Sequence, residues 1–208
     1  MSFHAIDWDS WQRRETYLHF TNEVPCTYSM CVQLRLQALQ PRLKAQGYKL
    51  FPTLLYGLSK QVNRHREFRM TRRGENEVGY CDTLHPSYTV FHPETESFSS
   101  RWTAYTPSFP AFHARYLADA QRDGEAGEPP EDGIFYVSCI PWVTFTGFHL
   151  HLPEGGDSLT PIFTIGRYQE SGGDLLLPLS LQVHHAVCDG YHAARFINEL
   201  QAWIDDFP

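Results

Sequence analysis

The chain has 208 residues, 42% hydrophobic and 20% charged, with a formal net charge of -7 at neutral pH. This length suits a single domain, 1–208, with a sizeable core, and the balance is ordinary for a soluble globular protein. The acidic charge excludes a general nucleic-acid binder, which needs clustered Lys and Arg to neutralise phosphates, but leaves room for a local basic spot beside a phosphorylated cofactor.

The N-terminal stretch Met1 to Arg14 is polar and tryptophan-bearing, with no apolar signal region. No run approaches the length of a membrane span, so no membrane partner is expected. Met30, Val32, Leu34 and Leu36 alternate with polar residues, the pattern of a half-buried strand. Ala38 to Gln46 follows as a short helix that Gly47 stops. Pro52 opens a second helix, in which Leu54, Leu55, Leu58 and Val62 keep helical spacing. Short strands are expected at Phe68–Arg72, Glu77–Cys81 and Tyr88–His92. Phe109 to Arg122 reads as a helix with Phe109, Phe112, Tyr116 and Ala120 on one face. The acidic, Gly- and Pro-rich stretch Arg122 to Gly133 is a surface loop. Strands are expected again at Phe135–Ile140, Val143–His151, Pro161–Tyr168 and Asp174–Val183. A last helix starts near Tyr191, with Ala193, Ile197, Leu200 and Ile204 facing inward. The sum is an α+β fold with a large, mostly non-local sheet. The five cysteines (Cys26, Cys31, Cys81, Cys139, Cys188) are scattered and form no C-x-x-C pair. They read as reduced thiols of a cytoplasmic protein.

Between the last strand and the last helix stands His184-His185-Ala186-Val187-Cys188-Asp189-Gly190-Tyr191. An imidazole where a strand runs out, followed by a carboxylate and a glycine, is suited to general-base removal of a proton from an alcohol or thiol. The odd positions from Leu175 to Val183 are apolar, and the even ones include Pro178, Ser180 and Gln182. Side chains alternate across a strand. If the strand continues, His185 shares the apolar face as the less solvated imidazole, and His184 points the other way. The two rings then cannot hold one metal jointly. Burial disfavours the charged form, so such a ring stays neutral and able to accept a proton. Asp189 has two readings: cap of the final helix, or partner of an arginine that holds the turn. His149 and His151 lie two apart and would share a strand face, but no Cys, Asp or Glu at ligand spacing completes a metal site.

The H-H-x-x-x-D-G string resembles that of the chloramphenicol acetyltransferase family, a motif shared with dihydrolipoamide acyltransferase catalytic domains and peptide-synthetase condensation domains. The likeness extends to Trp11-Gln12-Arg13-Arg14-Glu15, Pro25-Cys26, Tyr48-Lys49, Phe91-His92 with Glu94-Thr95-Glu96, Pro141-Trp142-Val143, and Leu175 to Asn198, all in family order. It implies a two-layer sandwich of a large mixed sheet and packed helices. It also implies a homotrimer with active sites at subunit interfaces. The implied activity is acetylation of the 3-hydroxyl of chloramphenicol by acetyl-CoA, without a metal, giving antibiotic resistance. Under this resemblance His185 is the catalytic base, Ser138 stabilises the oxyanion, and Thr164 binds a water bonded to the intermediate. Asp189 and Arg13 form a supporting salt bridge. Phe20, Cys26, Phe98 and Leu150 match acceptor-pocket positions. Lys49 and Arg167 match basic positions near the CoA phosphates, Tyr168 an aromatic beside the cofactor, and Trp142 a flank of its tunnel.

The chain departs from the family at Phe20, where a tyrosine is usual, with His19 before it in place of an aromatic. Tyr136 stands where an asparagine is familiar. The loop at Arg122 to Gly133 is shorter than its counterpart, which carries an acceptor-site phenylalanine. These departures bear on acceptor affinity. They leave open another hydroxylated acceptor, or a catalytically silent homologue that binds the antibiotic.

Overall fold

The computed structural model describes residues 2–74, 77–122, 127, 133–151 and 158–208. In chain order the elements are β1 (Phe3–Ala5), α1 (Arg14–Leu18), a π-helical turn (His19–Glu23), β2 (Thr27–Arg35), α2 (Leu39–Gln46), α3 (Leu50–Arg64), a 3-10 turn (Arg66–Arg69), β3 (Met70–Arg73), β4 (Glu77–Cys81), β5 (His85–His92), β6 (Ser97–Trp102), α4 (Phe109–Ala120), β7 (Ile134–Ile140), β8 (Ile162–Gly166), β9 (Gln169–Ser171), β10 (Asp174–His184) and α5 (Gly190–Asp205). The large sheet runs β2-β10-β8-β7-β5-β6, with β9 also on β10, and a small sheet runs β1-β4-β3. β7 pairs parallel with β5 and β8, and the other pairings are antiparallel. This is the mixed-sheet α+β architecture expected.

Register decides which side chains share a face. Leu181 stands opposite Met30 and Phe163, Phe163 opposite Val137, and Val137 opposite Tyr88. This apolar row meets the helices: Phe163 stacks on Phe196 of α5 at 5.3 Å, and Tyr88 meets Phe51 of α3 edge-on at 6.0 Å. All five odd-numbered apolar residues from Leu175 to Val183 are buried, and so are Ala193, Ile197, Leu200 and Ile204 on α5. Helix starts and stops follow local chemistry. Gly47 ends α2 in the left-handed region at φ 72°, and Tyr48 N–H donates to the Leu43 carbonyl at 3.0 Å. α3 begins two residues before Pro52, which sits in the first turn, where its missing N–H costs nothing. α3 and α5 approach so closely that a Cβ on Gly57 would fall 2.4 Å from the Trp203 ring. Gly57→Ala is expected to destabilise the protein by about 1–3 kcal/mol, read as a lower midpoint in urea unfolding.

Three expectations need correction. The segment at Val143–His151 is not a strand. It crosses the face opposite the helices and spends its backbone groups on side chains of β2 and β10. Gln33 Nε2 donates to the Phe145 carbonyl at 3.0 Å, Phe148 N–H to Cys31 Sγ at 3.2 Å, and Leu150 N–H to Gln182 Oε1 at 3.2 Å. Phe68 lies in the 3-10 turn and the strand starts at Met70. Ala120 is exposed on α4, whereas His113, outside the apolar set, is buried. β1, α1, β6 and β9 had no sequence signal, being short or poor in apolar alternation. Most of the loop at Arg122 to Gly133 lies outside the described residues.

Candidate active site

β10 ends at His184, and residues 185–187 turn away from it. The N–H groups of Val187 and Cys188 both close on the His184 carbonyl, at 3.2 and 3.1 Å, and His185 N–H donates to the Cys26 carbonyl at 3.0 Å. The turn reverses the expected solvation. His184 is 8% exposed, its Nδ1 accepting the Ala186 N–H at 3.2 Å, while the His185 side chain is 31% exposed. Parity failed here because β10 is central and the Phe145–Leu150 segment covers its polar face as well. At this end of the strand it is the residue beyond the last ladder pair that reaches the surface.

Both readings of Asp189 hold. It is the N-cap of α5, with extended backbone, and its N–H donates to His192 Nδ1 at 3.0 Å. Its carboxylate also takes a two-pronged contact from Arg13, at 2.5 Å to Oδ2 and 3.0 Å to Oδ1. The same guanidinium reaches the His185 and Ala186 carbonyls at 3.4 Å, so one arginine ties carboxylate and turn together. Arg13 holds the Asp189 carboxyl below its ordinary value of 3.8. A depressed carboxylate stabilises the fold fully above its unfolded value, and that contribution is lost as pH falls through the lower folded one. Asp189→Ala, which strands a half-buried guanidinium, is expected to cost about 2 kcal/mol of stability. By loosening the turn it should also lower kcat about 10²-fold. Thermal unfolding near neutral pH and steady-state kinetics on the same sample check both effects.

Aromatic rings fix the His185 imidazole from two sides. Phe20, delivered by the π-helical turn, stacks on it at 3.9 Å and 10°, and Tyr28 meets it edge-on at 5.3 Å. Nδ1 is buried, 3.4 Å from Asp189 Oδ1 but outside hydrogen-bonding geometry, because the carboxylate is turned toward Arg13. Burial raises the Tyr28 phenol and pushes the adjacent Cys188 thiol up to about 12, so both stay neutral beside His185.

Ser138 and Thr164 lie elsewhere. Ser138 on β7 stands opposite Thr164 on β8, Thr164 opposite Ser180 on β10, and Ser180 opposite Cys31 on β2, a polar row on the face away from the helices. Thr164 is buried. Ser138 lines a cavity of about 450 Å³ with Phe91, Phe98, Trp142 and Phe148. Phe98 is 69% and Trp142 54% exposed there, and Trp142 meets Phe91 edge-on at 4.8 Å. At about 3.3 Å per residue along a strand and 4.8 Å between strands, His185 lies roughly 19 Å from Ser138. The expected acceptor wall is divided accordingly. Phe20 and Cys26 surround His185, Phe98 stands with Ser138, and Leu150 lies on the crossing segment.

The expected cofactor residues also divide. Tyr168 lines a groove of about 1140 Å³ between α2 and the β9–β10 hairpin, with Lys44, Tyr48 and Leu50. Lys49 is exposed between Tyr48 and Leu50, and Arg167 directly precedes Tyr168. Trp142 belongs to the Ser138 cavity instead. Among the described residues, no group of three or more His, Cys, Asp or Glu side chains is arranged to hold a metal. His149 and His151 remain a pair, their rings 5.4 Å apart. Sequence reasoning missed Tyr28, for which no signal existed, and His192. The latter stands three residues after Asp189, the spacing of a capping box, and was legible on that ground.

A family model described as chloramphenicol acetyltransferase matches residues 1–201. The chain is 48% identical over 206 residues to a chloramphenicol acetyltransferase of Campylobacter coli, covering 97% of this chain and 98% of that one. Against one of Clostridium perfringens it is 48% identical over 211 residues, covering 99% and 100%. A solved structure of a chloramphenicol acetyltransferase superposes with a TM-score of 0.86 at 22% identity, covering 98% of this chain and 100% of that one, a likeness of fold. The motif turn backed by Arg13 and Asp189 thus sits in a chain whose whole length matches, and the chain belongs to the chloramphenicol acetyltransferase family.

Proposed function

We propose that the chain, as one catalytic domain over 1–208, transfers the acetyl group of acetyl-CoA to the 3-hydroxyl of chloramphenicol and so confers resistance to it. The observation that carries this reading is the placement of His185: half-exposed at a turn, its Nδ1 buried toward Asp189 and its ring held by Phe20 and Tyr28. Nε2 is then the nitrogen available to an acceptor. It takes the hydroxyl proton as the oxygen attacks the thioester carbonyl carbon. Negative charge gathers on the carbonyl oxygen, where the Ser138 hydroxyl donates, with a water held by Thr164. Collapse expels the CoA thiolate, which recovers the proton from His185, leaving acetylated antibiotic and CoA thiol. No acyl-enzyme and no metal are needed.

The separation of His185 from Ser138 supports a homotrimer in which each site joins the base of one copy to the donor of the next. Phe20, Cys26, Phe98 and Leu150 then wall the acceptor, and apolar walls suit its aryl group. Lys49, Arg167, Tyr168 and Trp142 flank acetyl-CoA, the two cations facing its phosphates. All five cysteines are free, which fits the cytoplasm. No described helix is long and apolar enough to cross a membrane. A thiol-release assay with acetyl-CoA and a panel of alcohols tests the reading. Thiol should appear in step with acetylated chloramphenicol. Release only with other alcohols, or none with any acceptor, would overturn it.

A further inference from the structure

At the start of α3, Thr53 Oγ1 donates to the Lys49 carbonyl at 2.7 Å, but no residue of the helix accepts the Lys49 N–H. Its N-cap is Lys49, whose side chain accepts no hydrogen bond and makes no cap. In a capping box the N-cap N–H is taken by a side chain three residues on, but here that residue is Pro52. The acceptor comes from another helix. His113 of α4, 5% exposed, takes the Lys49 N–H on Nε2 at 3.2 Å. The proton of its neutral ring therefore sits on Nδ1. Its ring meets Tyr48 edge-on at 4.8 Å and Phe109 at a tilt at 5.8 Å. Tyr48 and Leu50, the neighbours of Lys49, line the groove that also holds Tyr168.

We propose that His113 is a positioning residue for the donor substrate: by capping the Lys49 N–H from α4, it sets where Lys49 meets the phosphates of acetyl-CoA. This rests on the reading of Lys49 as a phosphate contact. Only the neutral imidazole accepts this bond. Burial, and then the Lys49 charge, lower the His113 pKa from 6.5, so the cap holds at neutral pH and fails in acid. From the α2–α3 link the charge acting on the ring is that of Lys49, and the titratable side chain in contact with it is Tyr48, through its ring. On its own helix the facing ring is apolar Phe109.

The test compares His113→Leu, His113→Gln and Lys49→Ala in the full-length enzyme, with acetyl-CoA and with acetylpantetheine, a donor without phosphates. His113→Leu should raise the KM for acetyl-CoA roughly five- to tenfold, the size of one lost hydrogen bond, with kcat little changed. Lys49→Ala should do the same. Both should match wild type with acetylpantetheine. The Gln amide oxygen can still accept the N–H, so His113→Gln should keep a near-normal KM. Wild type should show a rise in KM on the acid side, and His113→Gln should lose it. A normal KM in His113→Leu beside a raised one in Lys49→Ala overturns the role of His113 alone. A normal KM in Lys49→Ala overturns the phosphate reading, and this proposal with it. An equal loss with acetylpantetheine overturns the proposal by making the effect general.

Discussion

His185→Ala should lower kcat about 10²–10⁴-fold, the range a positioned general base contributes. Folding and assembly should be unchanged. The side chain lies on a turn beyond the last ladder bond of β10, it is 31% exposed, and its N–H bond to the Cys26 carbonyl survives truncation. Removing the ring strips Phe20 and Tyr28 of a stacking partner but opens no cavity in the core. KM values should hold steady if the ring acts mainly on the proton in flight, since uniform binding is then untouched. His184→Ala is the informative contrast. His184 is buried and its Nδ1 secures the Ala186 N–H, so that change should lower the unfolding midpoint by more. Measuring kcat, sedimentation and thermal unfolding on both variants separates base from scaffold. Retention of most activity by His185→Ala would remove it from the chemistry.

The contrast also marks what one sequence can and cannot say about this site. Alternation in β10 correctly gave the helix-facing row, because a central strand buries alternate residues whatever its neighbours are. It misjudged the two histidines, because solvation of the other face depends on a segment far away in sequence. Phe145 to Leu150 covers Ser180 and Gln182 through side-chain bonds that no periodicity encodes. Asp189 was legible as both cap and ion-pair partner, since each role follows from residue type and position. Arg13, 176 residues away, was reachable only through the family resemblance. The same holds for Ser138 and Thr164. A hydroxyl in a strand carries no mark of function, and their adjacency appears only once β7 and β8 are in register. The stacking of Phe20 on His185 came from the π-helical turn, which sequence spacing did not foretell.

Ser138→Ala is expected to lower kcat about 10²–10³-fold, the usual cost of one oxyanion donor, or about 3 kcal/mol of transition-state stabilisation. Ground-state binding of both substrates should change little, because in the proposed mechanism the charge that Ser138 would meet exists only in the intermediate. The variant becomes more informative when combined with His185→Ala. Within one chain the two side chains lie roughly 19 Å apart along and across the sheet, beyond the reach of a single tetrahedral centre. If neighbouring copies share each site, a chain lacking the base and a chain lacking the donor complement one another. In a mixed ring of three, one junction joins the intact His185 of the Ser138→Ala chain to the intact Ser138 of the His185→Ala chain. Co-refolding the two variants should therefore restore about a third of the wild-type rate per mixed trimer, far above either parent. Mixing them without exchange of chains should restore nothing. Co-refolded samples no more active than the sum of the parents would mean that each chain works alone, and that the oxyanion is met by a group nearer to His185 than Ser138.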